Sequence, residues 1–262
     1  MGEKIKVGIV GCGFVGGALK AWLDANNPNV QVLVSDPPKG MNDDLSGIDV
    51  AFVQIHVPTE DDGTQDLTLM RQLIEALPDV PVFVRTTILP GTSEMLSRET
   101  GRQVRYMPEF LSERTYIEDF RKQALVFTGA VDLLVKVFPG KKFTVMSPLE
   151  AELAKYIHNV FGAYKVTYFN AAREYVEKMG GDWAKVHTGV LLSGYINDTH
   201  TYVPGPDGRF GYGGKCFPKD VNAFAKMTQG TSIGTLLAPL HSLNDHFRGV
   251  GRRSAAASVR KH

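Results

Sequence analysis

The chain contains 262 residues, with 29 lysines and arginines against 28 aspartates and glutamates, a formal net charge of +1. That length predicts two domains, and the balanced charge gives no reason to expect nucleic acid or an anionic membrane surface as a partner. No apolar run is long enough to span a bilayer, and the opening "MGEKIKVGIV" lacks a signal peptide's apolar core and cleavage site. The two cysteines each lie in a glycine-rich loop, so we predict a cytoplasmic protein without a disulfide framework.

The first half of the chain alternates between β-branched runs and helical spacing. We predict strands at "KIKVGIV", "VQVLVS", "VAFVQIHV", "VPVFVRTT", "QVRYM", "ALVFT" and "KFTVM", and helices over 14–26 and 66–77. Alternation of this kind is typical of a parallel sheet that is covered by helices on both faces. The sequence therefore predicts an α/β, Rossmann-type doubly wound parallel sheet over residues 1–147.

The pattern changes to helices at Ser147, where "SPLE" predicts a capping box. Helical spacing then continues without a break to Met179, and Gly180 and Gly181 provide a stop. Further helices are predicted over 183–192, 219–227 and 232–247, the last kinked at Pro239. We predict an all-helical dimerisation and substrate domain over 148–248 with one long connecting helix, and a basic tail over 249–262 that is solvated or disordered, with phosphate binding as the alternative.

The segment "GIVGCGFVG" follows the first predicted strand and opens the first predicted helix. Gly11, Gly13 and Gly16 have the spacing of a dinucleotide-binding turn, with Phe14 and Val15 between them. The first glycine permits a tight turn, the second lets a pyrophosphate approach, and the third lets helix pack on strand. A glycine-rich surface turn is the alternative.

Asp36 ends the second strand twenty residues after Gly16. A carboxylate there accepts hydrogen bonds from an adenosine ribose and repels the additional phosphate of NADP, although Lys39 weakens that preference. The sequence therefore predicts NAD as the cofactor.

The segment "FGYGGKCFPKD" places Cys216 directly after a glycine-rich turn. Pro218 suits the first turn of a helix, so the thiol would lie at a helix N-terminus, where the helix dipole favours thiolate. A turn that carries a buried structural cysteine is the alternative. By contrast, His56, His158 and His200 do not have the spacing of metal ligands within one element, so we predict no metal site.

Five segments besides the glycine turn carry a family resemblance. In chain order they are "VPTEDDGTQDL", "RTTILPGT", "MPEFLSE", "AELAKYIHNVFGAYKVTYFN" and "FGYGGKCFPKD", and "LHSLND" follows near the end. They resemble the V-P-T-P loop, the S-T-V-P-V-G-T turn, the N-P-E-F-L-R-E segment, the A-E-x-x-K-x-x-x-N helix and the catalytic cysteine segment of the UDP-glucose/GDP-mannose dehydrogenases. The resemblance runs from residue 8 to about residue 248.

That resemblance implies two successive hydride transfers, which convert a primary alcohol to a carboxylate through a thiohemiacetal and a thioester on Cys216. Lys155 and Asn159, one helical turn apart, would stabilise the reacting oxygen. Asp220 would orient Lys155 or a water, and Glu109 would activate the hydrolytic water. A solvated helix face is the alternative for the Lys–Asn pair.

The resemblance also implies binding residues. Thr87 would position the hydrolytic water and, with Thr59, line the nicotinamide half of the cofactor, which Lys219 would reach. The predicted substrate contacts are Phe110, Leu111, Lys155, Asn159, Phe210 and Gly211. The implied partners are a sugar substrate and a second copy of this chain, packed through the long helix.

Some positions depart from the family's pattern. The arginine of the family's R-I-G falls at Asn197, Thr-Glu replaces Thr-Pro at 59–60, and Phe-Asn-Ala replaces Phe-Asn-Glu at 169–171. The chain also ends where the family's third, nucleotide-holding domain begins. We therefore expect weak binding of UDP-glucose, or a smaller substrate such as a sugar phosphate.

Two other functions remain open at this stage. A β-hydroxyacid-type dehydrogenase shares the Rossmann domain and a Lys-x-x-x-Asn helix but transfers one hydride and needs no thiol. A non-catalytic NAD-binding protein that depends on a partner is the other.

Overall fold

A computed structural model describes residues 3–60 and 62–259, with side chains through residue 249. Its strands are β1 (Ile5–Val10), β2 (Val30–Asp36), β3 (Met41–Asn42), β4 (Val50–Val53), β5 (Val82–Val84), β6 (Val104–Tyr106), β7 (Leu125–Phe127) and β8 (Phe143–Val145). Its helices are α1 (Phe14–Asn26), α2 (Thr68–Ala76), α3 (Thr92–Thr100), α4 (Tyr116–Lys122), α5 (Val131–Val137), α6 (Pro148–Lys178), α7 (Trp183–Leu192), α8 (Phe217–Met227), α9 (Ser232–Leu237) and α10 (Leu240–Val259). No helix in the described part of the chain is long and apolar enough to cross a membrane.

The chain forms two compact units. One contains the described residues up to Glu60 together with Gln65–Tyr156, and the other contains residues 62–64 and the chain from Ile157 onward. The first unit holds a six-stranded sheet in the order β3-β2-β1-β4-β5-β6, plus a parallel pair of β7 and β8. Only β3 is antiparallel in the larger sheet. The strand order reverses direction between β1 and β4, the arrangement of a doubly wound α/β fold.

Two apolar cores lie on the two faces of this sheet because successive strand residues point to opposite sides. In β4, Val50 and Phe52 belong to one core, and Ala51 and Val53 belong to the other. Helices α1, α4 and α5 contribute to the first core, whereas α2 and α3 contribute to the second. The predicted Rossmann-type fold is confirmed.

The second unit is helical, and the chain enters it along helix α6, whose residues up to Tyr156 belong to the first unit. Helix α6 begins with the predicted capping box: Ser147 N and Oγ each donate to Glu150 Oε2 (2.7 and 2.8 Å), and Glu150 N donates to Ser147 Oγ. The helix ends where Gly180 adopts a left-handed φ of 78°. Helix α7 packs on α6 through an edge contact between the rings of Phe169 and Trp183. Helices α8, α9 and α10 contact one another.

Four details of the prediction are wrong. Helices α3, α4 and α5 were missed, as was the antiparallel strand β3. The strand predicted at "VAFVQIHV" ends at Val53, and the Gln54 side chain after it donates to the carbonyls of Gly11 and Phe52. The helix predicted over 232–247 is two helices separated at Pro239, which cannot donate a helical hydrogen bond. Helix α10 continues through Val259, so the predicted basic tail is helical up to that residue; residues 260–262 lie outside the described residues.

Candidate active site

The glycine turn after β1 has room on one side only. Gly11 has a φ of 83°, which L side chains rarely adopt, and a Cβ there would lie 2.8 Å from Gln54 O. A Cβ on Gly16 would overlap the carbonyl oxygen of Gly11. A Cβ on Gly13 would meet nothing within 4 Å. The turn is therefore tight, closely packed at its first and third glycines, and open at its second, as a dinucleotide pyrophosphate requires.

Asp36, the last residue of β2, is held beside this turn. Its Oδ2 accepts a hydrogen bond from Cys12 N at 2.7 Å, and the Lys39 ammonium lies 3.7 Å away. Lys39 Nζ also donates to Cys12 O. Asp36 lies at the carboxyl edge of the sheet, where its free oxygen can accept from a ribose hydroxyl. These residues fit an adenine dinucleotide.

Thr59 and Thr87 lie in loops that Gln65 joins. Residues 59 and 65 form an isolated β-bridge, and Gln65 Nε2 donates to Thr87 O at 3.2 Å while its Oε1 accepts from Leu89 N at 2.9 Å. Thr59 Oγ1 is buried and has no hydrogen-bond partner among the described residues. A buried hydroxyl without a partner costs free energy unless a ligand or water meets it, so this atom also fits a bound cofactor.

Glu109 follows β6 at the same edge of the sheet and pairs with Lys155 of α6. Lys155 Nζ donates to Glu109 Oε1 at 2.9 Å and to the Glu109 carbonyl, and Leu111 N donates to Glu109 Oε2 at 2.7 Å. Burial by itself raises the pKa of Glu109, but the charge and hydrogen bond of Lys155 and the Leu111 N–H outweigh it, so the pKa is lower than the ordinary 4.5. Glu109 is therefore a carboxylate at neutral pH. The Lys155 ammonium also lies 5.7 Å from the centre of the Phe110 ring.

Arg85, which sequence reasoning missed, is fully buried next to this pair. Its guanidinium lies 5.2 Å from the centre of the Phe120 ring, and its three nitrogens have no hydrogen-bond partner among the described residues. Burial lowers the pKa of Arg85 to about 10, although the charge of Glu109 opposes that shift. A charged residue directly after the apolar "VFV" of β5 was the available signal. Gln54, a polar residue directly after the apolar β4, gave a similar signal.

Asn159 and Asp220 form a second buried pair, within the helical unit. Asn159 Nδ2 donates to Asp220 Oδ2 at 2.6 Å, and Lys219 Nζ donates to Asp220 Oδ1. His158 Nδ1 lies 3.0 Å from Asn159 Oδ1. Since Asp220 accepts from the amide nitrogen, the Asn159 oxygen faces His158, which must be the donor. We predicted that Asp220 orients Lys155 or a water; in the structure its oxygens hold Asn159 and Lys219.

Cys216 is the N-cap residue of α8, and Pro218 and Asp220 lie in the first turn of that helix. The thiol is partly buried. The glycine-rich loop before it is bound to helix α6: Gly211 N donates to Asn170 Oδ1 at 3.0 Å, and the Arg173 guanidinium lies 4.9 Å from the centre of the Phe210 ring. The structure thus places the cysteine at a helix N-terminus, behind a main chain that is held in place.

Besides the Thr59 and Thr87 loops and the loop before Cys216, the structure brings predicted site residues together in three groups. The glycine turn with Asp36 forms one group, and Glu109 with Lys155 forms the second. Asn159 with Asp220 and Lys219 forms the third, at the first turn of α8. Helix α6 carries both Lys155 and Asn159, which are 2 % and 4 % exposed and one turn apart.

Comparison with known proteins shows which proteins this chain is similar to. The central-domain model of the UDP-glucose/GDP-mannose dehydrogenase family matches residues 149–245. A UDP-glucose 6-dehydrogenase from Rhizobium meliloti is 32% identical over 242 residues, which are 82% of this chain and 54% of the relative. A GDP-mannose 6-dehydrogenase from Pseudomonas aeruginosa is 29% identical over 202 residues, 67% of this chain and 45% of that protein. The chain spans about half the length of the curated relatives that it matches.

The same fold occurs in solved structures. A UDP-glucose dehydrogenase from the hyperthermophilic archaeon Pyrobaculum islandicum superposes with a TM-score of 0.76 at 24% identity, over 93% of this chain and 68% of that one. A GDP-mannose dehydrogenase from Pseudomonas aeruginosa gives a TM-score of 0.61 at 22% identity, over 92% of this chain and 68% of that one. At these identities the likeness establishes the fold alone.

Proposed function

Because the chain belongs to the UDP-glucose/GDP-mannose dehydrogenase family, we propose that it oxidises the primary alcohol of a nucleotide sugar or sugar phosphate to a carboxylate in two steps, with NAD as cofactor. One observation carries the proposal. Helix α6 presents Lys155 and Asn159 one turn apart, each buried and each hydrogen-bonded to a carboxylate, that of Glu109 and that of Asp220. A solvated helix face has neither the burial nor the partners.

The first unit supplies the cofactor site in this proposal. The open side of Gly13 would admit the pyrophosphate, and the carboxylate of Asp36 would accept from the adenosine ribose. Thr59 and Thr87 would line the nicotinamide half, and the Thr59 hydroxyl, buried without a partner among the described residues, would be available to it. NAD, when bound, accepts one hydride at each of the two oxidation steps.

Cys216 carries the covalent chemistry. An aldehyde has no hydride to give until a nucleophile adds to its carbonyl, and a thiolate adds readily. The thiolate of Cys216 forms a carbon–sulfur bond with the aldehyde carbon, giving a thiohemiacetal whose oxidation leaves a thioester. Its position as the N-cap of α8 places the thiol at the positive end of the helix dipole, which favours the thiolate form.

Two side chains stabilise negative charge on oxygen, those of Lys155 and Asn159, and a third, that of Glu109, accepts a proton. The second amide hydrogen of Asn159 remains for the substrate oxygen, since Asp220 takes only one, and Asp220 fixes the direction in which that hydrogen points. The ammonium of Lys155 stabilises negative charge that develops on a substrate oxygen. The Glu109 carboxylate accepts a proton from the water that cleaves the thioester.

Counting NADH per substrate molecule tests the proposal. The protein is incubated with NAD and a panel of nucleotide sugars and sugar phosphates, and NADH and carboxylate are both quantified. We expect two NADH for each carboxylate with at least one member of the panel. A ratio of one, with an oxidised product that is not an acid, would instead identify a single-hydride dehydrogenase. No NADH with any member, despite measurable NAD binding, would identify a non-catalytic protein.

A further inference from the structure

The main chain of the glycine-rich loop before Cys216 is bound by side chains on two helices. Gly211 N donates to Asn170 Oδ1 of α6 at 3.0 Å. The next residue, Tyr212, is held on both sides: its N–H donates to Asn244 Oδ1 at 2.7 Å, and its carbonyl accepts from Arg248 Nε at 2.9 Å. Asn170 and Asn244 are 3 % and 7 % exposed. Three polar groups of the backbone at residues 211 and 212 are thus satisfied by buried or half-buried side chains.

The loop packs directly on these side chains. A Cβ on Gly211 would lie 2.6 Å from Asn244 Oδ1, and a Cβ on Gly213 would overlap the guanidinium of Arg248. Arg248 also donates from Nη1 to Asp207 Oδ2 at 2.9 Å, and Asp207 belongs to the turn that precedes the loop. Asn244 and Arg248 are four residues apart and lie on one face of α10. Glycines at 211 and 213 allow that face to reach the backbone.

We infer that Asn244 and Arg248 are positioning residues, which fix the backbone of the loop over 211–214 and thereby the place of the Cys216 thiol at the start of α8. The inference rests on the proposed function in taking Cys216 as the reacting thiol. Glycine has more backbone freedom than any other residue, so this loop requires external contacts to hold one conformation. A displacement of about 1 Å at a reacting group can cost a hundredfold in rate. Neither side chain is required to touch the substrate.

The alkylation rate of Cys216 tests this without any assumption about the substrate. The chain has two cysteines, so Cys12, which lies in the first unit, serves as an internal control in the same molecule. Each variant is treated with iodoacetamide, and the modification of the two cysteine peptides is followed by mass spectrometry. Arg248→Met keeps the aliphatic stem but removes the donors, and Asn244→Ala removes the acceptor for Tyr212 N.

We expect Arg248→Met to raise the rate at Cys216 relative to Cys12 about tenfold, the equivalent of one lost charge-assisted hydrogen bond, and Asn244→Ala to raise it about fivefold, the equivalent of one lost neutral hydrogen bond, because the partly buried thiol becomes more accessible. Asn244→Asp keeps an acceptor and should largely restore the wild-type ratio. Asp207→Asn, which removes only an exposed ion pair, should change the ratio less than about twofold. His241→Ala, an exposed change on the same helix, should leave the ratio unchanged.

Activity provides the second readout. In Arg248→Met we expect kcat to fall while the KM for NAD stays at the wild-type value, because the glycine turn, Asp36, Thr59 and Thr87 all lie in the first unit. A ratio of alkylation rates, Cys216 over Cys12, that stays within twofold of wild type in both variants would overturn the inference. Equal acceleration of alkylation at both cysteines would also overturn it, because it would show that the whole protein is destabilised. If the alkylation ratio shifts in the variants but the wild-type chain produces no NADH, the positioning role holds and the proposed function fails. If the wild-type chain produces NADH but the ratio does not shift in the variants, the proposed function holds and the positioning role fails.

Discussion

Glu109 and Lys155, 46 residues apart in sequence, form an ion pair of 2.9 Å whose side chains are 6% and 3% exposed. At such burial, each charged side chain is stable in the folded protein only because the opposite charge lies beside it. Removing one partner of a buried pair leaves an uncompensated buried charge and lowers the free energy of unfolding. That loss is larger than the change caused by replacing both partners with apolar residues. The pair joins the end of the sheet to the first turns of α6, so its loss affects stability as well as the proposed chemistry.

We predict that Glu109→Gln lowers the free energy of unfolding at pH 7 by about 3–5 kcal/mol. Glu99→Gln is the matched control, since Glu99 pairs with Arg71 at 2.7 Å but both side chains are well exposed; we expect a loss of at most about 1 kcal/mol there. Urea unfolding of both variants measures the difference. Equal losses would show that the pair is not buried as described.

The pH dependence of stability should differ in the same variant. The pKa of Glu109 is lower in the folded protein than the ordinary 4.5, so its stabilising contribution is fully present above about pH 4.5 and is lost as the pH falls through the folded value. Glu109→Gln lacks this titration. We therefore expect the wild-type advantage over Glu109→Gln, measured by urea unfolding at pH 7, 5 and 3, to decrease on acidification; a constant advantage would contradict it.

Gly13→Ala and Gly16→Ala should separate cofactor binding from folding. A methyl group at 13 enters open space, so the melting temperature should stay close to the wild-type value while NAD affinity falls about tenfold or more. A methyl group at 16 overlaps the Gly11 carbonyl and should destabilise the fold by about 1–3 kcal/mol. Thermal unfolding and calorimetric titration with NAD check both. Unchanged NAD affinity in Gly13→Ala would remove this turn from the cofactor site.

Asp36 should set the preference for NAD over NADP. Asp36→Ala removes the ribose acceptor and the negative charge, so the ratio of kcat/KM for the two cofactors should move toward NADP by about tenfold. Asp24→Ala changes the net charge equally but removes an exposed pair with Lys20 on α1, and its ratio should stay at the wild-type value. The same shift in both variants would assign the effect to net charge.

A stripe of exposed apolar side chains on α6 predicts a homodimer. Ile157, Phe161, Tyr164, Tyr168 and Tyr175 are 39–64% exposed. Their spacing alternates between three and four residues for most of its length, the pattern of helices that pack side by side, and apolar surface of this extent marks an interaction site. Light scattering should give the mass of two chains at micromolar concentration.

A double variant tests the stripe. Phe161→Glu with Tyr168→Glu should yield monomers, and Leu69→Glu, an exposed apolar position on α2, should leave the dimer intact. A wild-type monomer, or a dimer that survives the double substitution, would exclude this interface.

Local signals predicted some elements to the residue. Helix α1 begins after its glycine turn and α7 after Asp182, which accepts from Ala184 N at 2.9 Å as an N-cap. Helices α4 and α5 have seven residues each, too few for a helical period to stand out from the loops around them. Stability of such short helices comes from packing on the sheet, which one sequence does not display.

The partners of the site residues could not be predicted from spacing. Lys155 and Asn159 were placed on one helix face by their separation, but their bonds to Glu109 and Asp220 join segments that are 46 and 61 residues apart. The same holds for the hydrogen bonds from the Tyr212 backbone to the side chains of Asn244 and Arg248, which are 32 and 36 residues away in sequence. Gln54 and Arg85 were detectable as polar residues directly after apolar strands, but their roles depend on what tertiary packing brings to them.

The amount of carboxylate that Cys216→Ala produces, compared with wild type, tests the proposed thioester most directly. Wild type and Cys216→Ala are incubated with NAD and the substrate identified in the panel, and carboxylate is quantified alongside NADH. We predict two NADH for each carboxylate from wild type and no carboxylate above background from the variant, with melting temperature and NAD affinity unchanged. Carboxylate formed by Cys216→Ala at the wild-type rate would contradict the cysteine mechanism.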